Sequence, residues 1–247
     1  MIKGIHTAGA GMLPMLTRLE VIANNLANMN TTGFKRDEVF TKLVKDAAFI
    51  QAQGKGNDGE TQVVHVIDFS EGGLAPTNNP LDLAVQGRGF FVVDTPEGLR
   101  YTRNGNFTLT TNGALVTAQG NPVMGTHGRI QLQNLQNIHQ EQLVIAESGE
   151  IVMDGKSVAR LRIVDFTDAQ GLVKEAGALF AAPATMQPTE IHEDTATIKQ
   201  GFLEGSNVEG LEEMIAMVEL TRNFESNQRM ITTLDGTLEK TNEVGRF

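Results

Sequence analysis

The chain of 247 residues contains no cysteine and no tryptophan, and it has one tyrosine. Without cysteine it can form no disulfide, no thiolate metal site and no cysteine nucleophile, so both reducing and oxidising compartments remain open. Twelve phenylalanines supply most of the bulk for a core, and a chain of this length can bury a substantial one.

Long apolar runs are also absent. No stretch approaches the ~20 continuous apolar residues that a membrane-spanning helix needs. The N-terminus lacks a compact apolar segment followed by a cleavage site. We therefore expect no membrane insertion and no cleaved signal peptide.

Positive charge is scarce, because the formal net charge is -10. Phosphate binding relies on clustered lysine and arginine, so nucleic acid is not expected as a partner. The charge is uneven: the opening segment is basic and the closing one acidic, with Lys3, Arg18, Lys35 and Arg36 at one end and Glu204, Glu209, Glu212, Glu213 and Glu219 at the other. The opposite charges of the two ends could guide the docking of one end on the other, or they could belong to ordinary solvated helix faces. An exposed ion pair contributes only ~0–1 kcal/mol to stability.

No catalytic, cofactor or metal site is marked by its residues. The loop QAQGKGNDGE at 51–60 lacks the GxxxxGK[ST] order of a phosphate cradle, and GRGFF at 87–91 lacks the third glycine of a dinucleotide fingerprint. The histidines are scattered without metal-ligand spacing, at His6, His65, His127, His139 and His192. We therefore expect no enzyme activity and no cofactor.

Apolar residues recur at a seven-residue spacing at both ends of the chain, which is typical of helices that bury one face against a partner helix. Each end could pair with the other end or with another copy of the chain. We call these positions the assembly seam: Ile5, Met12, Met15, Leu19, Ile22, Leu26 and Met29 near the N-terminus, and Met217, Leu220, Phe224, Asn227, Ile231, Leu234 and Leu238 near the C-terminus.

Helix-breaking and helix-capping residues predict where these two helices begin and end. Pro14 makes a continuous first helix doubtful, so we expect a firm helix from about Pro14 to Asn28. The Asn-rich text after it is either an ordinary helix stop or a packed turn between subunits. Ser206 or Asn207 can cap a final helix, with Glu209 near its positive end.

Between these helices the spacing of the apolar residues along the sequence changes. Residues 37–62 are mixed, with a possible helical piece at Phe40, Leu43, Val44, Ala47 and Ile50. Val63–Phe69 alternates like a strand, and residues 72–80 form a turn. From about residue 81 to 181 the period is two, with strand candidates at 83–85, 90–94, 99–103, 107–110, 114–117, 130–132, 143–146, 151–153 and 159–166.

These observations predict a mixed α and β fold: a discontinuous α-helical coiled-coil domain from both termini, plus a central all-β domain. The expected boundaries are an N-terminal helix at 1–36, an extended linker at 37–80, the β domain at 81–182, a return segment at 183–205 and a C-terminal helix at 206–247.

Three blocks carry a family resemblance. They are ANNLANMNTTGFKR at 23–36, QGRGFFVV with YTRNGNFTLTTNGALVTAQGNPVMG within 86–125, and LEGSNVEGLEEMIAMVELTRNFESNQRMITTLD at 203–235. In this order the chain resembles the bacterial flagellar rod and hook basal-body proteins, most closely the proximal rod members and next the distal ones. The motif positions are Asn24, Asn25, Leu26, Ala27, Asn28, Thr32, Gly33, Phe34, Gly89, Phe90, Phe91, Tyr101, Thr102, Arg103, Gly105, Phe107, Gly113, Leu115, Gly120, Leu203, Glu204, Ser206, Asn207 and Val208.

The resemblance implies a structural subunit of the flagellar rod, the shaft that carries torque to the hook. It implies export through the flagellar type III apparatus, assembly in the periplasm, and a tube of terminal helices with the β domain outside. Partners would be other copies of the chain and other rod proteins on the hook side and the motor side. Head-to-tail contacts that do not close fit such a filament. The alternatives are a distal rod or hook-type subunit, a cell-wall glycan enzyme, and a trimeric adhesin or binding module.

Overall fold

The computed structural model describes residues 2–44, 60–132, 143–191 and 196–244. Within these residues the fold is mostly β, with nineteen strands and two α-helices. Two compact units are present. We call Met1–Ala27, Asp37–Asp68 and Val208–Phe247 the terminal unit, and Asn28–Arg36 with Phe69–Asn207 the central unit.

The terminal unit combines two helices with a β-hairpin. Helix α1 spans Ile2–Ala27 and helix α2 spans Gly210–Val244. Strands β1, Asp37–Val44, and β2, Glu60–Ile67, pair antiparallel along their whole length. Helix α1 packs against both α2 and β1, so its apolar face has two different neighbours.

The doubt about the first helix was misplaced, because α1 is continuous through Pro14. A proline inside a helix removes one backbone hydrogen bond and crowds the preceding turn. The remaining i→i−4 bonds and the packing of α1 on α2 and β1 keep the helix intact. Its end at Ala27 lies one residue before the predicted stop.

The helical piece expected after residue 37 is wrong. Asp37–Val44 is strand β1, with Phe40 directly opposite Val64 on β2. The sequence DEVFTKLV places apolar or β-branched residues at alternate positions, and pairing with β2 favours a strand over a helix. Ala47 and Ile50 lie outside the described residues. The strand predicted from Val63 is confirmed as β2, which starts three residues earlier.

The predicted fold class is also wrong, because no coiled coil is evident in the described parts of the chain. The ends form two helices and a hairpin within a mostly β molecule. A seven-residue repeat indicates that one helix face is buried, but it does not specify what covers that face. Here β1 and α2 both pack against α1.

The central unit is built from short strands. Its widest sheet has six strands in the order β15-β16-β6-β5-β14-β17, and smaller sheets surround it. The strands are β3 Leu74–Pro76, β4 Leu83–Gly87, β5 Phe90–Thr95, β6 Gly98–Thr102, β7 Phe107–Leu109, β8 Leu115–Thr117, β9 Met124–Gly125, β10 Gly128–Arg129, β11 Leu143–Ile145, β12 Glu150–Met153, β13 Lys156–Arg160, β14 Ile163–Asp165, β15 Val173–Glu175, β16 Leu179–Ala181, β17 Thr189–Glu190, β18 Ala196–Gln200 and β19 Phe202–Glu204.

One apolar core holds these sheets together. Phe91 and Phe107 are fully buried and meet edge to face, with ring centroids 5.2 Å apart. Leu83, Leu115 and Ile151 belong to the same cluster. Strands from several small sheets contribute to it, so the core joins the sheets into one unit.

Most predicted strands of the centre are confirmed within a residue or two. The strand expected at 130–132 is wrong, since only an isolated bridge joins Gln131 to Ala114. The run 159–166 is divided, because β13 ends at Arg160 and β14 begins at Ile163. The return segment, predicted as plain extended chain, contributes β17, β18 and β19.

Candidate assembly site

The turn after α1 brings the three motif blocks together in the central unit. Gly33 has φ +67, and a Cβ there would lie 2.5 Å from the carbonyl carbon of Arg103 and still closer to the backbone nitrogen of Asn104. Its N–H donates to the carbonyl of Glu204 at 2.8 Å. The Thr32 hydroxyl donates to Asn104 Oδ1 at 3.0 Å. Only glycine suits both this backbone conformation and this spacing.

A buried ion network lies beside this turn. Lys35 Nζ is 2.6 Å from Glu204 Oε1, and neither side chain is exposed. Arg103 Nη1 lies 3.3 Å from Glu204 Oε2. The Arg103 guanidinium also donates to the carbonyls of Val85 at 3.2 Å and Gly87 at 2.8 Å. Buried charges need such partners, because an unpaired one costs several kcal/mol.

Two cations at this network, Arg103 and Lys174, lie beside aromatic rings. The Arg103 guanidinium carbon lies 5.3 Å from the centroid of the Phe90 ring. Lys174 Nζ lies 3.7 Å from the centroid of Phe34 and donates to the carbonyl of Lys35 at 2.6 Å. The negative faces of these rings attract cations. Arg103 Nε is buried without a hydrogen-bond partner among the described atoms.

Asn207 joins two further segments to this network. Its Oδ1 accepts from the N–H of Arg36 at 2.7 Å. Its Nδ2 donates to Ser70 Oγ at 3.0 Å and to the Ser70 carbonyl at 3.3 Å. Lys35 Nζ donates to the same carbonyl at 2.6 Å. A single amide therefore bridges segments 137 and 171 residues away in the sequence.

This arrangement corrects the predicted helix cap. Helix α2 begins at Gly210, directly after Glu209, whose carbonyl accepts from Glu213 N at 3.1 Å. Neither Ser206 nor Asn207 occupies the capping position. The Asn207 side chain instead satisfies backbone groups of the central unit.

In the terminal unit, the side chain of Asn25 joins three elements, and we call its contacts the Asn25 clamp. Its Oδ1 accepts from Asp37 N at 3.0 Å, and its Nδ2 donates to Asp37 O at 2.8 Å. The same Nδ2 donates to Glu213 Oε1 at 3.3 Å. Asn25 and Glu213 are 1% and 2% exposed. One side chain thus binds α1 to β1 and to α2.

The middle block contributes packing in the central unit. Gly89 has φ +137, and a Cβ there would lie 2.7 Å from Ile191 Cδ1 and 2.8 Å from Ile163 Cγ2. The side chains of its neighbours Phe90 and Phe91 are buried. Glycine therefore permits a close approach of chain segments here, and no phosphate cradle is formed by a following helix, since Phe90 begins strand β5.

Apart from Met29, the described seam side chains are buried or half-buried on the two helices. Ile22 and Leu220 are buried, and Asn227 Nδ2 lies 3.4 Å from Met15 Sδ across the pair. Half-buried seam positions are Met12, Met15, Leu19, Leu26, Met217, Phe224, Asn227 and Ile231. Met29 lies in the central unit and is 38% exposed. The side chains of Ile5, Leu234 and Leu238 lie outside the described residues.

A second apolar surface lies on the opposite side of α2. We call it the apolar stripe: Leu211, Met214, Ile215 and Val218, which are 71%, 46%, 53% and 51% exposed. Their spacing of i, i+3, i+4 and i+7 places them on one helix face. Helix α1 also exposes Leu13 at 67% and Leu16 at 43%. Exposed apolar residues gathered on one face are typical of interaction surfaces.

Comparison with known proteins connects this geometry to a family. Residues 5–35 match the family model "Flagella basal body rod protein", residues 84–153 match "Flagellar hook protein FlgE/F/G D1 domain", and residues 199–244 match "Flagellar basal body rod FlgEFG protein C-terminal". The flagellar basal-body rod protein FlgF of Rhizobium meliloti is 32% identical, covering 99% of this chain and 98% of the relative.

The chain belongs to the flagellar basal-body rod protein family. The rod protein FlgG of Bacillus subtilis is 31% identical over 97% of this chain, and FlgF of Caulobacter vibrioides is 31% identical over 97%. The chain is therefore a structural subunit of the flagellar basal-body rod, and its partners are other rod and hook proteins. No helix among the described residues is long and apolar enough to cross a membrane.

Several residues that the structure brings together were missed from the sequence. Lys35 and Glu213 were noted only as part of the charge pattern, and Ser70 and Lys174 were not noted at all. One signal was available for Lys35: a lysine directly follows the GF of the first motif block, and the last block supplies Glu204. Sequence spacing could not show that these two charges meet.

Proposed function

We propose that this rod subunit assembles with other copies and with neighbouring rod proteins through its terminal unit. The observation that carries the proposal is the apolar stripe of α2. Four large apolar side chains lie exposed on one face, although the same helix has an inner face that packs on α1. A helix that is apolar on two faces needs two partners.

The seam and the stripe would then have different tasks. Seam residues such as Leu220 close the pair of α1 and α2 within one subunit. The stripe would bury its area against a neighbour, at roughly 25 cal/mol for each Å² of apolar surface removed from water. A stripe that contacts a different surface of its neighbour makes head-to-tail contacts, and these can continue from subunit to subunit and build a shaft.

The remaining parts of the proposal follow from family membership. The subunit would carry torque toward the hook, reach its place through the flagellar export apparatus, and catalyse no reaction. Relatives named FlgF and FlgG match at 32% and 31% identity, so the proposal concerns the rod as a whole.

The test introduces charge on the stripe. In a strain that lacks its own copy of the gene, a variant with Ile215→Asp and Val218→Asp should produce folded protein but no completed hooks and no swimming. A carboxylate buried at an interface is costly, whereas on an exposed face it costs little. The purified variant should therefore melt within a few degrees of the parent.

The matched control is Ser226→Asp, an exposed position of the same helix outside the stripe. It should leave hook number and swimming unchanged. Normal hooks and swimming in the stripe variant would contradict assembly through this face. A stripe variant that unfolds as a monomer would show that these residues stabilise the subunit itself.

A further inference from the structure

The chain passes between the two units four times, at 27/28, 36/37, 68/69 and 207/208. Three of these passages leave the central unit from one hydrogen-bonded cluster. We call this cluster the brace, and it consists of Lys35, Arg36, Ser70, Gly72, Glu204 and Asn207. All its members belong to the central unit.

Each of the three segments is bonded to both others. Arg36 is joined to Asn207 at 2.7 Å, and Asn207 is joined to Ser70 at 3.0 Å. Lys35 is joined to Ser70 and to Glu204, each at 2.6 Å. These contacts form closed loops, so no single segment can move away without breaking bonds to the two others.

Within the brace, the segment of Gly72 and the segment of Glu204 also approach each other closely along their backbones. Gly72 N donates to Glu204 Oε1 at 3.1 Å, and Gly205 N donates to Gly73 O at 2.8 Å. A Cβ on Gly72 would lie 2.9 Å from the carbonyl carbon of Gly205 and closer still to its oxygen. The segments therefore touch along their backbones and cannot slide past one another.

We propose that the brace is a load-sharing device: three of the four connections of the central unit can separate from one another only if the whole brace opens. This rests on the proposed function, because a shaft subunit must carry torque between its units. A pull on the segment of Lys35 or on that of Glu204 would separate this buried ion pair, and the cost of breaking a buried ion pair opposes opening. Load is thereby divided among three covalent connections.

The first test measures amide hydrogen exchange in the purified full-length monomer, which requires no rod. Asn207→Ala removes the side-chain bonds to Arg36 and Ser70. If the brace opens as one, exchange at Gly33 and Gly72, whose amides are bonded to Glu204, should also accelerate, by about tenfold for roughly 1.4 kcal/mol lost. Acceleration at Arg36 alone would overturn the proposal.

Asn112→Ala is the matched control, because Asn112 is exposed in a turn of the same unit away from the brace. It should leave the exchange of all these amides unchanged. Acceleration at Gly33 and Gly72 in this control as well would mean that the whole unit has loosened, and it would remove support for a cooperative brace.

A cysteine pair gives an independent test. The chain has no cysteine, so Ser70→Cys with Asn207→Cys creates one possible disulfide at a site where the native side chains are 3.0 Å apart. Oxidised protein should regain slow exchange at Gly33 and Gly72, and reduced protein should resemble Asn207→Ala. Equal exchange in both redox states would contradict the proposal.

The last test applies load in cells. Cells with Asn207→Ala should still form hooks, and their swimming speed should fall more steeply with medium viscosity than that of parent cells. An unchanged viscosity dependence would overturn load sharing. Should hooks be absent, the exchange experiment still decides whether the brace is cooperative, so failure of the brace and failure of rod assembly are distinguished.

Discussion

Lys35 and Glu204 are 169 residues apart in the sequence, yet their side chains meet at 2.6 Å with no exposed surface on either. The pair joins the first motif block to the last, and Arg103 of the middle block contacts the same carboxylate. The three blocks that mark the family are thus parts of one buried site. Their spacing along the chain reflects packing within the subunit.

Replacing the shared carboxylate should be costly. Glu204→Gln removes the negative charge that the buried Lys35 and Arg103 both contact, so we expect the free energy of unfolding to fall by about 3–5 kcal/mol. Urea unfolding of the purified protein measures this change. Lys199→Ala is the control, since its partner Glu147 is exposed and the pair lies at the surface, and its effect should stay below about 1 kcal/mol. Equal effects would contradict the role given to burial.

A methyl group at Gly33 tests the turn. Gly33→Ala combines φ +67 with a clash against the backbone of Asn104, and we expect a loss of at least about 3 kcal/mol. Gly120→Ala is the control, because Gly120 has φ +86 and no atom within 4 Å of the added carbon. It should cost only the conformational strain of about 1–2 kcal/mol. Thermal unfolding of both variants compares the two costs.

Sequence patterns identified many of the individual strands, because local rules apply to local structure, although the predicted fold class was wrong. Alternating residues predicted β5 and β6, and the seam positions Ile22 and Leu220 are buried. Local rules failed where packing between segments far apart in the sequence determines the secondary structure. Pro14 argued for a break, but contacts with α2 and β1 keep α1 whole. The segment with Phe40 read as helix, but pairing with a strand over twenty residues later made it β1.

The site was harder to predict than the fold. Arg103 and Glu204 were recognised as motif positions, yet nothing in their spacing shows that they contact each other or that Lys35 contacts the same carboxylate. A heptad repeat likewise predicts a buried face without naming its partner. The stripe residues Leu211 and Ile215 were visible in the sequence, but only the position of α1 shows which face of α2 remains exposed.

The single tyrosine provides a pH test. Burial raises the pKa of the Tyr101 phenol above its ordinary value, and the positive charge of Arg162 offsets part of this increase. The folded chain therefore holds this proton where the unfolded chain has lost it, so stability decreases as pH rises above about 10. Phenolate absorbance reports Tyr101 alone, because the chain has one tyrosine and no tryptophan.

Native protein should develop phenolate absorbance at a higher pH than protein unfolded in denaturant. Tyr101→Phe should remove the matching part of the alkaline loss of stability and leave the part due to lysine and arginine groups. A native titration that overlaps the unfolded one would show that the phenol is not desolvated.

The clamp at Asn25 allows a second test with a defined sign. Asn25→Asp replaces the amide, which donates to Glu213 Oε1 at 3.3 Å, with a carboxylate facing that oxygen. Two buried carboxylates repel, so the pKa of the introduced carboxyl is raised in the folded variant. The folded variant then binds more protons than its unfolded chain, and its stability falls as pH rises above the ordinary aspartate value of about 4.

We therefore expect the variant to be closest to the parent near pH 4 and to lose the most stability, about 3 kcal/mol or more, at pH 7. Unfolding free energies of parent and variant across this range measure the difference. Asn24→Asp, at the exposed neighbouring position, should show no such slope. A deficit that is equal at both pH values would mean that the lost hydrogen bond to Asp37 O, and not charge repulsion, sets the cost at this clamp.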